Sequence, residues 1–594
     1  MRRPLGEAVL HALQTLRALV RADEIWLVAL AACVGLAGGV VVTLMTLVAQ
    51  RAHELFFGIA SGVRISGVVD LDPWRAVLVP TLGGLVLGLI GLVVARWYAH
   101  RMVDPIEANA LFGGRMPLGA SFLLVFQTLL SNGVGASVGL EAGYTQISAA
   151  LGSRLGHIFR VRRSDLRLLV GCGAAAAIAG AFDAPLTGAF YAYELVIGTY
   201  SLATLAPVVC AAIVSVGVVR LLHGHPGGLE LLVPSRIEAV DYIPILALGM
   251  ICALVGIAIM RGVTVTENLF RRSGVPGWAR PAIGGLAVGL LALVTPQVLS
   301  SGHAALAIGV HAPYSLTWIA ALIVLKAVAS AVSLGSGFRG GLFFASLFLG
   351  AMVGKLFAGT MALVSTAHVV PEVVCAVVAM SALAVAIVGG PLTMAFLALE
   401  TTGSLPLTAA VLAAVVVSSL TVRRTFGYSF ATWRFHLRGE VIRSAVDVGW
   451  MRTLTVGRMM RREFRTVRAS MPLAMFRRDF PLGSTDRVVA LDDEDRYAGI
   501  IWVSEVHGEA AQDGAQEGGR TRVLADLLHQ QQNMLLPQLS IKDAVALFES
   551  AEADALAVVD GEETRQVIGV LSEQFALRRY SDELDRRRRE LSGE

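Results

Sequence analysis

The chain has 594 residues, of which 55% are hydrophobic, and its net charge is only +4. A soluble domain is usually about 45–50% apolar by a similar count, so the composition favours a membrane protein, and the small net charge gives no reason to expect a nucleic-acid partner. The charges are uneven, because 47 of the 94 Asp, Glu, Lys and Arg side chains lie in the last 154 residues. The chain therefore divides into an apolar body and a charged C-terminal part.

The apolar body is predicted to be a polytopic α-helical membrane domain over residues 25–440. An amphipathic, arginine-flanked stretch at residues 1–24 precedes it and predicts a cytoplasmic surface helix, not a signal peptide. Several apolar runs are shorter than the roughly 20 residues that a helix needs to cross a bilayer, and broken helices survive where they line a polar cavity. Basic stretches at 160–163 and 423–438 predict a cytoplasmic location for both termini. The apolar runs lie at residues 25–49, 77–97, 119–131, 168–181, 186–222, 241–261, 280–299, 315–334, 341–365, 370–388 and 391–422.

The first candidate site lies in the glycine-rich segment 133–146, where a helix is expected to begin near Glu141. The N-terminus of a helix offers unsatisfied N–H groups and a positive dipole end, which bind anions weakly enough for release from a pore. A carboxylate at this position competes with an anion when it is ionised and withdraws when it is protonated. Glu141 is therefore a candidate gate or proton carrier, and the alternative is an acid that only complements the helix dipole.

The body also contains an internal repeat. The pattern of serine and glycines that starts at Ser131 recurs from Ser333, an offset of 202, and the segment 185–194 recurs at 391–400, an offset of 206. Paired repeats with broken helices are typical of transporters, in which the substrate site lies where the repeats meet.

Four motifs in the same order resemble the CLC family of chloride channels and chloride–proton antiporters over residues 25–440. Gly139-Leu-Glu-Ala-Gly-Tyr-Thr-Gln146 resembles the motif GREGPxxQ, and the segment 335–345 resembles GSGxPGGxFxP. The segment 182–188 followed by Glu194 resembles FNAPLAG…E, and Tyr428 stands where the family places its pore tyrosine. The resemblance implies a fold of broken and tilted helices in an internal repeat, a homodimer with one pathway in each subunit, and a bacterial inner-membrane protein that carries chloride or a similar anion.

The resemblance also implies roles for individual residues. Glu141 would be the gating glutamate, and the hydroxyl of Tyr428 would donate to the central anion. Lys326 matches a basic position near the intracellular pore mouth, although a lysine whose ammonium snorkels from an apolar helix would show the same pattern. The backbone N–H groups that would cradle the anion belong to Gly139, Leu140, Ala142, Leu342 and Phe343.

Three departures from the family pattern concern the predicted pore. Met102 stands at the position of the serine in the first anion loop, which removes a hydroxyl ligand and is similar to the fluoride-exporting branch of the family. Asp104 before Pro105 is typical of a helix N-cap followed by proline at the first helical position. Leu140 replaces the family arginine, whereas Arg339 replaces a proline. We hypothesise that Arg339 supplies the lost positive charge; the alternative is an arginine that packs between the repeats or faces a polar cavity.

The proton pathway is predicted from the residues that end the FNAPLAG helix. Proton-coupled members carry two adjacent acids at the end of the FNAPLAG helix, and the second is the internal proton glutamate. This chain has Glu194 followed by Leu195, and leucine cannot carry a proton. The sequence therefore slightly favours a passive channel over a chloride or fluoride antiporter.

The charged C-terminal part resembles a pair of CBS domains, at residues 454–506 and 521–579. The remaining segments are a linker at 441–453, a solvated linker at 507–520 and a charged tail at 580–594. In nucleotide-binding pairs, the strand after each core leads to a Ser or Thr and then to an Asp that holds ribose. The positions here are Trp502 and Glu505 in the first copy, and Ser572 and Phe575 in the second. Binding of an adenine nucleotide and a structural role in dimerisation both remain open.

Two other classes of function deserve comparison. A CBS-regulated magnesium transporter would need clustered acids in the membrane, and the spans contain only the isolated Glu141, Glu194 and Glu400. A membrane sensor without transport would leave the ordered glycine repeat unexplained. The sequence contains no nucleophile–base set and no metal-ligand cluster, so neither an enzyme nor a metal site is expected.

Overall fold

The protein divides into two compact units, Met1–Val446 and Asp447–Glu594. The structure, a computed structural model, describes residues 24–97, 102–223, 237–364, 370–427, 455–508, 523–576 and 578. Four predicted segments lie wholly or almost wholly outside the described residues: the surface helix at 1–24 except Glu24, the linker at 441–453, the linker at 507–520 except its first two residues, and the tail at 580–594.

The described part of the first unit is helical. Its helices are α1 (Glu24–Phe57), α2 (Pro73–Trp97), α3 (Pro105–Leu111), α4 (Leu118–Gly133), α5 (Glu141–Phe159), α6 (Arg163–Phe182), α7 (Pro185–Tyr191), α8 (Leu202–His223), α9 (Tyr242–Arg272), α10 (Arg280–Ala292), α11 (His303–His311), α12 (Leu316–Ser336), α13 (Phe343–Val364), α14 (Glu372–Val388), α15 (Pro391–Thr402) and α16 (Leu405–Thr425). Helix α7 continues as a π-helical turn at Ala192–Ile197, and single 3-10 turns lie at Ile65–Gly67, Ala239–Asp241 and Pro296–Val298.

The order of the helices repeats, because α1–α8 and α9–α16 correspond one to one. Each half opens with its longest helix, and equivalent pairs pack together: α1 with α8 as α9 with α16, and α5 with α6 as α13 with α14. Small residues allow these approaches. A methyl group at Gly35 would collide with the carbonyl of Ala211, and one at Gly249 with that of Ala414. The two largest buried cores follow the same division, since one lies mainly among α9, α12, α13, α14 and α16 and the other among α1, α6 and α8.

Eight helices among the described residues are long and apolar enough to cross a membrane. Others are far too short, since α3 and α7 have 7 residues each and α11 has 9. Two apolar runs that sequence alone leaves unbroken are each split. The run at 186–222 breaks at Gly198 (φ 83°) and the run at 391–422 at Gly403 (φ 63°), because both glycines take the left-handed conformation that ends a helix.

The second unit combines short strands and helices. Strands β1 (Thr466–Arg468) and β2 (Arg487–Leu491) pair in parallel, β2 and β3 (Tyr497–Trp502) antiparallel, and β4 (Ala555–Val559) and β5 (Val567–Ser572) antiparallel. Isolated bridges join residues outside the strands to a strand of the other sheet: Arg461 pairs with Val570 of β5, and His529 pairs with Ile500 of β3. The elements in chain order are α17 (Val456–Met459), β1 (Thr466–Arg468), α18 (Leu473–Asp479), β2 (Arg487–Leu491), β3 (Tyr497–Trp502), α19 (Val503–Gly508), a 3-10 turn (Leu524–Leu527), α20 (Ile541–Ala551), β4 (Ala555–Val559) and β5 (Val567–Ser572).

Candidate functional site

The two glycine-rich loops of the repeat meet in the middle of the first unit. The N–H of Gly139 donates to the carbonyl of Gly341 at 2.8 Å, and the N–H of Gly341 donates back to Gly139 at 3.1 Å. These bonds form an isolated antiparallel bridge. The two halves of the unit are therefore joined here by backbone hydrogen bonds between equivalent loops of the repeat.

Serine hydroxyls on both sides of the bridge form a second pair of reciprocal hydrogen bonds between the repeats. The N–H of Ser137 donates to Oγ of Ser333 at 3.0 Å, and the N–H of Arg339 donates to Oγ of Ser131 at 3.0 Å. Each residue in the first half is 202 positions before its counterpart. When a residue of one half contacts a residue of the other half, and the counterparts of both make the same contact, the two halves are related by a two-fold axis. The two repeats are therefore related by a local two-fold axis.

The bridge brings two helix N-termini together. Helix α5 begins at Glu141 and α13 at Phe343, immediately after the paired glycines. The first turns of both helices have N–H groups without an intrahelical partner, and their dipoles place partial positive charge at the same point. The residues predicted to cradle an anion all lie in these turns or in the bridge: Gly139, Leu140, Ala142, Leu342 and Phe343.

Glu141 lies between two cavities. Its side chain is only 5% exposed, and it is the one described residue that lines both of them. Oε2 occupies the space where a methyl group on Gly139 would stand and lies beside Gly341. Among the described residues, this buried oxygen has no hydrogen-bond partner. The carboxylate therefore separates the two cavities and is positioned by close packing against glycine.

One of the two cavities, which we call the loop cavity, lies in front of the α3 and α13 N-termini. Met102, Asp104, Tyr191, Arg339 and Phe343 are among its lining residues. The predicted cap of α3 is confirmed, because Oδ1 of Asp104 accepts from the N–H of Ile106 at 2.9 Å with proline at the first helical position. The structure thus brings Met102 and Arg339 to the same cavity as Glu141, with the Asp104 carboxylate engaged by backbone.

The other cavity, which we call the vestibule, is lined by residues that sequence reasoning missed. They include Arg64 from the α1–α2 connection, Tyr144 from α5, and Ser301 and His303 at the start of α11. The His303 ring stacks on Phe344 with 3.5 Å between ring centroids, and its Nδ1 lies 2.6 Å from Oγ of Ser301. No local pattern in the sequence marks Arg64 or His303 as residues of a shared cavity.

Lys326 is fully buried, and its ammonium donates to the carbonyls of Val298 at 3.0 Å and Ser300 at 2.8 Å. Among the described residues, it lines neither of the two cavities. A snorkelling lysine needs an ammonium in water, so the snorkelling interpretation is wrong. The lysine instead supports the backbone of the segment that carries the vestibule serines.

Glu194 and Glu400 are the acids at the end of the second repeated element. The carboxylate of each accepts hydrogen bonds from the N-terminus of a helix in the other repeat. The Glu194 carboxylate accepts from the N–H groups of Leu392 and Thr393 and from the Thr393 hydroxyl, at 2.7–2.9 Å. Glu400 accepts from the corresponding three donors at the start of α7, at 2.6–2.8 Å. Each acid thus caps a helix of the opposite repeat, which is a structural role.

Two further predicted sites concern the end of the membrane body and the second unit. Tyr428 lies outside the described residues. In the second unit, Oε2 of Glu505 is 2.6 Å from Nε2 of His529, and Trp502 lies 5.0 Å from the guanidinium of Arg487. Both positions considered in the first copy therefore already have protein partners. In the second copy, Ser572 ends β5, and the Phe575 ring lies 5.8 Å from the guanidinium of Arg461. No cluster of three or more His, Cys, Asp or Glu suited to a metal ion occurs among the described residues.

Comparison of the sequence with known proteins covers mainly the first unit. The Voltage_CLC family, described as voltage gated chloride channel, matches residues 89–423, which is more than half of the chain. A ClcB-like chloride channel protein of Ralstonia nicotianae is 33% identical over 358 residues, which cover 59% of this chain and 83% of the relative.

Solved structures show the same fold. A slow cyanobacterial Cl⁻/H⁺ antiporter superposes with a TM-score of 0.60 and 20% identity, over 69% of this chain and 97% of that protein. A CLC-type fluoride/proton antiporter superposes with a TM-score of 0.55 and 21% identity, over 66% and 94%. At these identities the likeness concerns the arrangement of the helices, and it agrees with the repeated order of α1–α16.

Proposed function

The chain belongs to the voltage gated chloride channel (CLC) family, and we propose that it carries chloride or a similar small anion across the membrane past Glu141. The observation that carries this proposal is the position of Glu141 between two cavities, at paired helix N-termini. Helix N-termini favour anions without a full positive charge, and a carboxylate between the cavities competes for the same place. Protonation or displacement of the side chain would then open the path.

We favour passive conduction, with proton-coupled antiport of chloride or fluoride as the alternative. Leu195 follows Glu194 in the π-helical turn, so the position of the internal proton acid is apolar. Glu194 itself is occupied as a helix cap. The antiporters that share the fold support the alternative, and Met102 in the loop cavity makes fluoride the first anion to compare with chloride.

A magnesium transporter or a membrane sensor fits the described residues less well. Among the residues that the structure describes, no acid other than Glu141 lines the vestibule, and Asp104 in the loop cavity accepts a hydrogen bond from its own helix. A hard dication needs several oxygen ligands at one point. A sensor would need the second unit for its activity, so anion flux that survives deletion of residues 447–594 would contradict it.

The second unit is proposed to be a CBS pair with a regulatory or dimer-forming role. Its two small sheets, and the bridges between residues 454–506 and residues 521–579, are compatible with two related subdomains. We further propose a homodimer in the bacterial inner membrane with both termini in the cytoplasm. Because Glu505 is engaged by His529, a structural role is favoured over binding of an adenine nucleotide.

The decisive experiment uses liposomes that contain the purified full-length protein. Chloride efflux and proton uptake are recorded together for the wild type and for Glu141→Gln, with Glu267→Gln as a control because Glu267 is an exposed acid on α9. Chloride flux without proton movement supports a channel. Uphill proton movement that Glu141→Gln abolishes supports an antiporter.

Other outcomes would revise the proposal. Flux of fluoride or nitrate without flux of chloride would keep the mechanism and change the substrate, with Met102 the first residue to exchange. No flux of any small anion, from protein that is folded and reconstituted, would contradict the proposed function.

A further inference from the structure

The vestibule has an uneven set of charges. Of its described lining residues, Arg64 is the only one with a permanent positive charge, and Glu141 is the only acid. Leu140, which stands where the family motif has arginine, lines the same cavity. Arg339 lines the loop cavity on the other side of Glu141. Leu140 removes the positive charge of the family motif from the vestibule, and Arg64 is the positive charge that the same cavity contains instead.

The position of Arg64 is fixed by its neighbours in the chain. Ile65 and Ser66, which follow it in a 3-10 turn, are 1% and 2% exposed. Oγ of Ser66 accepts from the N–H of Ala305 at 3.4 Å, which ties the turn to α11. The connection thus holds the backbone beside the vestibule.

The guanidinium itself is available. Within the part of the chain that the structure describes, no side chain or carbonyl accepts a hydrogen bond from it and no acid pairs with it. His53, Tyr144 and His303 line the same cavity. Arginine stays protonated at any physiological pH, so the guanidinium is a fixed charge with five N–H donors.

The hydroxyl groups of the vestibule are mostly occupied. The Tyr144 hydroxyl lies 2.8 Å from Oγ1 of Thr46, and Oγ of Ser301 lies 2.6 Å from Nδ1 of His303. Of the described vestibule residues, Thr43 also has a hydroxyl without a hydrogen-bond partner. A visiting anion therefore meets two unpaired donors, and of these only the guanidinium carries a charge.

We propose that the vestibule contains a binding site for a small monovalent anion at Arg64, which the anion occupies before it reaches the position of the Glu141 carboxylate. The site rests on the proposed function, since it lies on one side of the same path. Its ligand class is the halide or nitrate that fits against one guanidinium. Its role is to raise the local concentration of the transported anion and to reject cations.

The charge can be removed with little change of shape. At a contact separation of about 4 Å between the guanidinium and the anion, and with a dielectric constant of about 80 at this exposed side chain, a unit charge changes the occupancy of the anion about sixfold. Arg64→Gln is therefore expected to raise the chloride concentration for half-maximal flux by about sixfold, with flux at saturating chloride nearly unchanged. Arg64→Lys keeps the charge and is expected to stay within about twofold of the wild type.

The control is Arg75→Gln. Arg75 belongs to the first turn of α2, is exposed and is 3.6 Å from Asp72, and it does not line the vestibule. The same change of net charge at Arg75 should leave the half-maximal concentration unchanged. Calorimetric titration of chloride into the detergent-purified variants measures affinity without transport, and circular dichroism verifies that each variant is folded.

The outcomes separate this site from the proposed function. A selective shift in Arg64→Gln, restored in Arg64→Lys, supports the site. Wild-type flux with an unchanged half-maximal concentration in Arg64→Gln overturns the site and leaves the proposed function intact. An equal shift in Arg75→Gln would show a general surface-charge effect and would also overturn it. Absence of chloride flux and binding in the wild type would instead contradict the proposed function.

Discussion

Replacing Glu194 by glutamine tests whether the acid next to Leu195 is a helix cap or a proton carrier. One carboxylate oxygen accepts from the N–H of Leu392, and the other accepts from the N–H and the hydroxyl of Thr393. Glutamine has a single acceptor oxygen. In its best orientation it keeps both bonds to Thr393 and turns its NH₂ group toward the N–H of Leu392.

The expected cost follows from that geometry. Hydrogen bonds to charged groups contribute about 1.5–3 kcal/mol, and a buried donor left without an acceptor costs a similar amount. Loss of one such bond, together with loss of the negative charge at a helix N-terminus, predicts a destabilisation of about 2–3 kcal/mol for Glu194→Gln. Since Glu400 accepts the same three bonds in the opposite direction, Glu400→Gln should cost the same amount.

The measurement is the free energy of unfolding of the detergent-purified protein in a titration with sodium dodecyl sulfate. Glu267→Gln serves as a control, because its exposed pair with Arg271 should contribute less than about 1 kcal/mol. Proton and chloride movement are recorded in parallel in liposomes. Wild-type stability of Glu194→Gln combined with loss of proton movement would refute the capping argument. A difference of more than about 1 kcal/mol between Glu194→Gln and Glu400→Gln would refute the reciprocity.

Two further predictions concern the site. Gly139→Ala places a methyl group where Oε2 of Glu141 now lies, so the carboxylate should be displaced. We expect higher anion flux in liposomes than for the wild type, and unchanged flux would contradict the packing argument. Lys326→Met removes the donor to two backbone carbonyls in the segment that carries Ser300. It should lower the free energy of unfolding by about 1–3 kcal/mol. Wild-type stability in the same titration would show that burying the charged ammonium destabilises the protein by as much as its hydrogen bonds stabilise it.

Much of the fold could be predicted from the sequence. The repeat was visible as offsets of 202 and 206, and the structure gives the same offset in the reciprocal contacts of Ser137 and Arg339. The cap at Asp104 followed from residue type and the adjacent proline. The breaks at Gly198 and Gly403 were missed, because hydropathy averages over a window and does not register one residue with positive φ.

The candidate site could be predicted only in part. Glu141 and the paired loops followed from glycine spacing, since only glycine permits such close backbone contact. Arg64 and His303 reach the vestibule from segments distant in the chain, and no local pattern marks them. Lys326 was placed by its distance from a glycine motif, which does not determine the direction of the side chain in a bundle with several buried faces.

The exchanged caps also affect how the chain is made. The donors for Glu194 stand 198 residues later, and the serine acceptor for Ser137 stands 196 residues later. At a synthesis rate of about 5–20 residues per second, the first repeat stays in the membrane for roughly 10–40 s before its counterpart emerges. During that interval the polar groups of the first repeat lack their final hydrogen-bond partners. Lipid headgroups, water or the insertion machinery must therefore interact with these groups until the second repeat is made.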